Sequence, residues 1–299
     1  MIFVVLPDVE ILDLAGPLQA LSEANRGAPR YRIRLCATRE RITSSQGVVL
    51  AGLEPLPDDA AGAIVIVPGM PYRATLMPER KVTRWLAKAA QAGAHLASVC
   101  TGAFILGDAG LLDGRRCTTH WSRTGELAQR FPRARVLEDR LFVTDGDVTT
   151  SAGIASGIDM ALSLIEQADG PLVAAEVARE MVVYLRRDGA QEQQSVYLDY
   201  RTHLHPGIHR VQDAIVRDPG VRANLDELAT LAGMSPRSLT RTFRGATGIS
   251  VHDFTTRVRL ELARTLMNDP NLTVDAVARR SGLSERQLRR LGVRRREMR

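Results

Sequence analysis

The sequence has few cysteines, few aromatic residues and no long apolar run. Only three cysteines occur among its 299 residues, and aromatic residues make up 4% of the chain. Cys36, Cys100 and Cys117 lie far apart without a C-x-x-C pair, which argues against a disulfide framework or a cysteine-based metal site and indicates free thiols. No segment approaches the ~20 apolar residues of a membrane helix. The chain begins without the basic region and cleavage site of a secretory leader, so we expect a cytoplasmic protein without a membrane partner.

Positive charge is concentrated in the last third of the chain. The whole sequence carries a net charge of +6, with 44% hydrophobic and 25% charged residues, which is typical of a globular protein. Residues 203–299 contain 18 arginines, no lysine and 10 acidic residues, whereas the rest of the chain has a slight acidic excess. At this length two domains are expected. The charge distribution predicts that the second of them meets an anionic partner.

The first two-thirds of the sequence alternates short Val/Ile-rich runs with segments of helical period. This alternation predicts an α/β domain with a parallel sheet covered by helices. The predicted strands are residues 1–7, 31–37, 62–68 and 94–100. The predicted helices are residues 13–26, 78–92, 101–110 and 122–131. A hairpin of residues 135–143 and 147–151, turning at residues 144–146, is expected next, followed by helices at 154–168 and 171–187.

A polar, glutamine-rich segment at residues 189–206 is bounded by turn residues and predicts a linker. The predicted domains are therefore residues 1–188 and 207–299. The second domain contains an internal repeat at an offset of 49, with seven identities in sixteen positions. The repeated residues are Asp226, Ala229, Gly233, Ser235, Arg237, Leu239 and Arg241, which recur as Asp275, Ala278, Gly282, Ser284, Arg286, Leu288 and Arg290.

Each copy of the repeat predicts a helix-turn-helix. A short helix (225–232 or 274–281) is followed by a glycine suited to positive φ, a serine N-cap and a second helix with exposed arginines. Arginine side chains bind guanine edges and phosphates, and the apolar helix at 251–267 could place the two copies in successive major grooves, ~34 Å apart. A helical bundle with a solvated arginine-rich face is the alternative. The candidate contacts to double-stranded DNA are Ser235, Arg237, Ser238, Thr240, Arg241, Arg244, Ser284, Arg286, Gln287, Arg289 and Arg290.

This tail resembles the AraC-type DNA-binding domain over about 95 residues. The first copy carries A-x-x-A-G-M-S-x-R-x-L-x-R-x-F-x-x-x-x-G and the second V-A-R-R-S-G-L-S-E-R-Q-L-R-R. The second copy departs from the family pattern, since thirteen steps separate Ser235 from Gly248 but only eight separate Ser284 from Gly292. No counterpart of Phe243 follows Leu291. The resemblance therefore implies a double helix-turn-helix whose second copy is shortened. From their charge, we expect the arginines at 294–296 to form a solvated or phosphate-contacting tail.

In the first domain, Cys100 ends a predicted strand and begins a predicted helix. A side chain at such a strand-to-helix elbow projects above the sheet edge, and the helix N-terminus favours a thiolate. Backbone amides of Thr101 and of Gly69 or Met70 could form an oxyanion or carboxylate cradle there. The alternative is a small apolar residue that fills a tight turn. Cys36 and Cys117 are expected to be buried packing residues.

The run C-T-G-A-F-I-L-G-D-A-G-L-L-D-G-R-R-C-T-T-H-W from Cys100, with L-D-L-A-G-P-L from Leu12, resembles the ThiJ/PfpI branch of the class I glutamine amidotransferase-like fold. The order of the two domains resembles the GlxA-type AraC-family regulators. The resemblance implies a flavodoxin-like parallel-sheet sandwich that binds a small, possibly nitrogenous metabolite and forms a homodimer, followed by an all-α domain. It pairs Cys100 with Asp13 and aligns His120 with the family's T-T-H-W. The implied ligand-binding residues are Asp13, Gly69, Met70, Cys100, Thr101 and His120.

Three functions follow from these patterns. The main hypothesis is a ligand-responsive transcriptional regulator without enzymatic activity and without a cofactor. The second is a cysteine-dependent hydratase or amidase-like enzyme, in which Cys100 attacks an electrophilic carbon and Asp13 transfers the proton. The catalytic set of Cys100, Asp13 and His120 is incomplete, because Asp13 has an alternative role as a helix cap and His120 as a partner of a backbone carbonyl. The third hypothesis is an architectural DNA binder with an inert first domain.

Overall fold

The chain forms two compact units, Met1–Gln193 and Gln194–Arg299. The computed structural model describes residues 1–183, 186–187, 189–191, 193, 195–221, 224–267, 269 and 272–290. The first unit is built on a sheet and the second on helices, as the sequence predicts. None of the described helices is long and apolar enough to cross a lipid bilayer.

The first unit is built on a seven-stranded sheet in the order β10-β11-β7-β6-β1-β2-β5. All neighbouring strands are parallel except β10 and β11, which form an antiparallel hairpin. Two further strand pairs, β3 with β4 and β8 with β9, lie outside this sheet. The strands are β1 (Ile2–Val4), β2 (Arg34–Ala37), β3 (Arg41–Thr43), β4 (Val49–Ala51), β5 (Glu54–Pro55), β6 (Ile64–Val67), β7 (His95–Val99), β8 (Arg116–Cys117), β9 (Arg135–Val136), β10 (Phe142–Asp145) and β11 (Val148–Ser151).

Helices cover both faces of the sheet, and each face has its own hydrophobic core. Successive residues of a strand point to opposite faces, so Val65 and Val67 of β6 enter one core and Ile66 enters the other. Phe104 packs on the first face and Met160 on the second. The helices are α1 (Ile11–Ala24), α2 (Tyr72–Thr75), α3 (Arg80–Gln91), α4 (Gly102–Asp108), α5 (Thr124–Arg130), α6 (Ser156–Asp169) and α7 (Pro171–Glu180), with a 3₁₀ turn at Trp121–Arg123.

The structure differs from the sequence expectations before the hairpin and at the last helix of this unit. The single strand expected at residues 135–143 is two strands, because β9 pairs with β8 whereas β10 pairs with β11. The hairpin turns at Gly146, where φ is +60°. The last helix ends at Glu180 rather than at residue 187, since Val182 adopts a φ of +54° and the Val183 N–H donates to Ala178 O in a helix-terminating turn.

The start of the expected linker packs on the first unit. The N–H of Leu141 donates to Gln191 O at 3.1 Å, and the N–H of Phe142 donates to Gly189 O at 3.4 Å. The first compact unit thus extends to Gln193, five residues beyond the predicted domain end.

The second unit consists of helices around two small cores. Its helices are α8 (Val196–Asp199), α9 (Pro206–Arg217), α10 (Leu225–Ala232), α11 (Pro236–Thr247), α12 (Val251–Met267), α13 (Val274–Ser281) and α14 (Glu285–Arg290). Phe243 of α11 and Phe254 of α12 are fully buried in the first core, and Leu288 is fully buried in the second. The expected shortening after Leu291, and the arginines at 294–296, fall outside the described residues.

Candidate functional site

Cys100 occupies a strained turn between β7 and α4. Its φ of +55° is unfavourable for a residue with a side chain, so the surrounding structure must hold it. The N–H of Cys100 donates to Ser151 O at 2.9 Å, and the Thr119 hydroxyl donates to Cys100 O at 2.7 Å. The backbone of Gly153 approaches so closely that a Cβ there would lie 2.3 Å from Cys100 Cβ. The structure therefore has the strand-to-helix elbow that the sequence predicts.

Asp13 lies beside this elbow and is fully buried. Its Oδ1 accepts the N–H of Ile154 at 2.8 Å, and its Oδ2 has no hydrogen-bond partner in the described part of the chain. A Cβ on Gly69 would lie 2.3 Å from Asp13 Oδ2 and 2.9 Å from Cys100 Cβ, so all three residues meet at one point. Burial raises the pKa of Asp13 to about 6, although the Ile154 N–H acts in the opposite direction. Asp13 is not the cap of α1, because the N-cap position is Glu10 and no side chain caps this helix.

The Cys100 thiol is protonated at neutral pH, contrary to the expectation of a thiolate. Burial raises its pKa to about 12, and the negative charge of Asp13 contributes in the same direction. The N–H of Thr101 at the start of α4 lowers the pKa only in part. Desolvation and the neighbouring carboxylate therefore outweigh the local helix effect.

The expected anion cradle is closed at Met70. The N–H of Met70 donates to Thr101 Oγ1 at 2.8 Å, and the Thr101 hydroxyl donates to Met70 O. Both residues are buried. The Met70 amide is thus already bonded and cannot receive an oxyanion in this structure.

His120 lies at the start of the 3₁₀ turn and bonds locally. Its Nδ1 accepts the N–H of Ser122 and lies 2.8 Å from Ser122 Oγ. Neither Cys100 nor a backbone carbonyl accepts a hydrogen bond from His120 within the described residues, so neither expected role is seen. Burial, with a smaller effect of Arg123, lowers the pKa of His120. His120 is therefore a neutral imidazole at neutral pH.

A pocket of about 220 Å³ opens beside the elbow. Of the six predicted ligand-binding residues, only His120 lines it, although the neighbouring Gly153 touches Cys100. The sequence analysis did not predict the other residues that line the pocket, because they come from separate parts of the chain. The lining residues are His120, Trp121, Leu141, Ala152, Gly153, Ile154, Ala155, Ser156, Arg187 and Gln193. No cluster of three or more potential metal ligands occurs among the residues that the structure describes.

The first helix-turn-helix of the second unit has the expected local geometry. Gly233 has a φ of +73° between α10 and α11, and Ser235 Oγ caps α11 by accepting the N–H of Ser238. Arg237, Arg241 and Arg244 are exposed and have no ion-pair partner among the described residues. The hydroxyl of Thr240 is also exposed, but it donates to Pro236 O at 3.0 Å. The arginines are therefore the free donors of this helix.

The second helix-turn-helix repeats this geometry with fewer free cations. Ser284 Oγ accepts the N–H of Gln287, and Gln287 Oε1 in turn accepts the N–H of Ser284. Arg289 pairs with Glu285 at 3.1 Å on the same helix. Arg286 and Arg290 are exposed and unpaired within the part of the chain that is described. The turn glycine, Gly282, has a φ of +70°.

Comparisons with known families and structures match both units. The family model described as DJ-1/PfpI family matches residues 1–167, and a model described as a helix-turn-helix domain matches residues 228–297. An AraC family transcriptional regulator from Pseudomonas putida has a crystal structure with a TM-score of 0.54 at 23% identity, covering 60% of this chain and 97% of that chain. The predicted fold class is confirmed.

The curated relatives include regulators and an enzyme. The chain is 30% identical to the HTH-type transcriptional regulator GbdR of Pseudomonas aeruginosa over 92% of this chain and 76% of that protein. It is 28% identical to the HTH-type transcriptional regulator GlxA of Rhizobium meliloti, covering 94% and 88%. The isonitrile hydratase of Pseudomonas putida matches at 34% identity over 56% of this chain and 71% of the enzyme. The similarity to regulators thus spans both units, whereas the similarity to the enzyme is partial.

Proposed function

Because the chain belongs to the DJ-1/PfpI family and ends in an AraC-type helix-turn-helix domain, we propose that it is a DNA-binding transcriptional regulator controlled by a small molecule. The first unit would bind the effector and pair with a second copy, since two-fold symmetric dimers suit two-fold symmetric operators. The second unit binds double-stranded DNA. Neither unit performs catalysis in this proposal.

The observation that supports DNA binding most directly is the exposed face of α11. Three arginines at residues 237, 241 and 244 are free of acidic partners among the described residues, and the helix begins at a serine cap after a tight glycine turn. A helix of this kind places its N-terminal side chains against base edges in the major groove. We propose Arg237 and Arg241 as base contacts and Arg244 as a phosphate contact. In the second helix-turn-helix, Arg286 and Arg290 would contribute more than Arg289, whose charge is shared with Glu285.

The hydroxyl and amide candidates have a positioning role in this proposal. Ser235, Ser238 and Ser284 take part in the N-caps of α11 and α14, and Gln287 completes the second cap. Removing a cap costs ~1 kcal/mol of helix stability. These residues would therefore act on DNA affinity by fixing the first turn of each reading helix.

The test compares Arg241→Ala with Arg217→Ala in the full-length chain. Both variants lose one exposed positive charge, but Arg217 lies at the end of α9 rather than on a reading helix. Genomic fragments bound at about 0.15 M salt would first define the preferred sites. We expect Arg241→Ala to weaken binding to these sites by ~1–3 kcal/mol, or roughly 5- to 150-fold, with little change on random DNA.

Other outcomes would change the assignment. Equal losses on preferred and random DNA would make Arg241 a phosphate contact only. Failure of the full chain to select any discrete site would contradict sequence-specific regulation. The cysteine-dependent enzyme is not supported as an alternative, because burial raises the pKa of the Cys100 thiol to about 12 and the similarity to the isonitrile hydratase covers only 56% of this chain.

A further inference from the structure

The segment that leads from the first unit into the second forms one wall of the pocket beside the elbow. We call it the connector; its described residues are 186, 187, 189–191 and 193. Arg187 and Gln193 of the connector both line the pocket. The Gln193 amide holds the end of the connector against the first unit, because its Nε2 donates to Thr119 O and Glu138 O, each at 2.9 Å. A molecule in the pocket would therefore touch the part of the chain that continues into the DNA-binding unit.

Two residues that line the pocket each have a hydrogen-bond donor that no described residue accepts. Helix α6, with 14 residues, begins at the pocket, and the N–H of Ala155 at its N-terminus has no acceptor among the described residues. Arg187 donates from Nε and Nη2 to Asp159 at 3.0 and 2.6 Å, which leaves Nη1 without an acceptor in the described structure. A helix N-terminus and a fixed guanidinium are the groups that proteins use to bind oxyanions.

Charge and size define which anion fits. Among the described residues, Arg187 is the only arginine or lysine that lines the pocket, and Asp159 already neutralises it in part. A singly charged carboxylate suits this site better than a phosphate dianion, which would bring a second negative charge close to Asp159. The half-exposed Trp121 and Ile154 supply an apolar surface. At about 220 Å³, the pocket is smaller than the ~300–1,000 Å³ of drug-sized sites, so the ligand is small.

We propose that this pocket binds a small monocarboxylic acid with an apolar body. Its carboxylate accepts hydrogen bonds from Arg187 Nη1 and from the Ala155 N–H, and its body packs against Trp121. The proposal rests on the ligand-sensing part of the proposed function and names the chemical class of the effector. Because the bound acid bonds to Arg187, it also holds the connector in place, and this contact couples the pocket to DNA binding.

Tryptophan fluorescence provides a direct binding assay. Trp85 and Trp121 are the two tryptophans of the chain, so full-length Trp85→Phe leaves the pocket residue as the single reporter. The probes are acetate, butyrate, hexanoate, benzoate and phenylacetate, each beside its neutral amide. We expect at least one acid to change the Trp121 emission saturably, and its amide to bind at least about tenfold more weakly. Binding by none of the acids, or equal affinity for acid and amide, would overturn the proposal.

Two matched pairs of variants locate the carboxylate. Arg187→Gln should weaken acid binding by roughly 10- to 100-fold, whereas Arg186→Gln, which removes a neighbouring arginine paired with Glu166, should leave it unchanged. If Arg187→Gln fails to fold, Ile154→Asp and Ile154→Asn give an independent pair. Position 154 has a φ of +43°, which Asp and Asn tolerate, and only Asp adds a negative charge to the pocket. Equal binding within either folded pair would refute the assignment.

The same variants separate this inference from the proposed function. Site-selective DNA binding is measured for each of them without any acid. Loss of acid binding with intact DNA selectivity in Arg187→Gln supports the pocket assignment. If the unmodified protein binds no acid but still selects specific DNA sites, the proposed ligand class is rejected and the proposed regulator function is not. If the unmodified chain selects no DNA sites, the proposed regulator function is rejected.

Discussion

Replacing Asp13 by asparagine should stabilise the first unit, and the gain should grow with pH. Asp13 is fully buried, and one of its oxygens, Oδ2, lacks a hydrogen-bond partner in the described structure. Asparagine has nearly the same shape, and its carbonyl oxygen can still accept the Ile154 N–H. The substitution therefore removes a buried charge and keeps the hydrogen bond from Ile154, while it gives up the smaller pKa-lowering contacts of Asp13 with the Gly69 N–H and the Cys100 side chain.

The magnitude follows from the pKa of Asp13 in the two states. Burial raises this pKa from its ordinary value of 3.8 to about 6 in the folded protein. Between these two pH values the folded state keeps a proton that the unfolded chain has released, so the free energy of unfolding falls as pH rises. The full loss is about 3 kcal/mol and is complete above about pH 6. The asparagine side chain of the variant does not titrate, so the advantage of Asp13→Asn should increase by about 2 kcal/mol between pH 4.5 and 8, the remainder of the loss falling below pH 4.5.

The assay is urea unfolding of the full-length chain between about pH 4.5 and 8, monitored by tryptophan fluorescence. Both tryptophans, Trp85 and Trp121, lie in the first unit, so the signal reports the unit that contains Asp13. Asp58→Asn, at an exposed position of the same unit, controls for the loss of one negative charge. A difference between Asp13→Asn and the unmodified chain that stays constant with pH would refute the reasoning, as would a difference that shrinks.

Two further predictions concern packing at the two candidate sites. Phe243 is fully buried, with its ring centroid 5.7 Å from that of Phe254, so Phe243→Ala should destabilise the second unit by ~3–5 kcal/mol in urea unfolding followed by circular dichroism. Phe243→Leu should cost much less, and equal losses would contradict a packing role. At the elbow, Gly153→Ala places a Cβ 2.3 Å from Cys100 Cβ at a φ of +101° and should lower the melting temperature of the first unit. Gly125→Ala meets no neighbouring atom and should be neutral or stabilising, so a similar loss in both variants would argue against a steric cause.

The sequence predicted the strands that form the centre of the sheet because buried parallel strands are continuous apolar runs. β6, with the sequence IVIV, and β7 fall within their expected ranges. The β3–β4 hairpin was missed because its strands are largely exposed, and Ile42 is the one buried residue of β3. The early end of α7 was missed for another reason. Val182 adopts a positive φ, a conformation that sequence patterns assign to glycine rather than to a β-branched residue.

At the elbow, the sequence predicted which residues meet but not how they bond. Asp13, Gly69, Cys100 and Thr101 converge because they end or follow neighbouring elements at one edge of the sheet. The hydrogen bond from Met70 to Thr101 closes the Met70 side of the expected cradle, and it depends on a side-chain rotamer that no local pattern encodes. The thiolate expectation for Cys100 relied on the start of α4. Burial by the tertiary fold and the nearby Asp13 carboxylate override that local effect.

The connector shows why composition alone cannot distinguish a solvated linker from a segment that lines a binding pocket. Glutamine and arginine are polar enough to predict a solvated segment, but each also carries donors that can bond to backbone carbonyls and carboxylates. Here Gln193 bonds to two carbonyl oxygens and Arg187 bonds to Asp159, so both are held against the first unit while they line its pocket. Each such bond contributes ~0.5–3 kcal/mol. A carboxylate bound to Arg187 would add to these contacts and would favour the conformation in which the connector lies against the first unit.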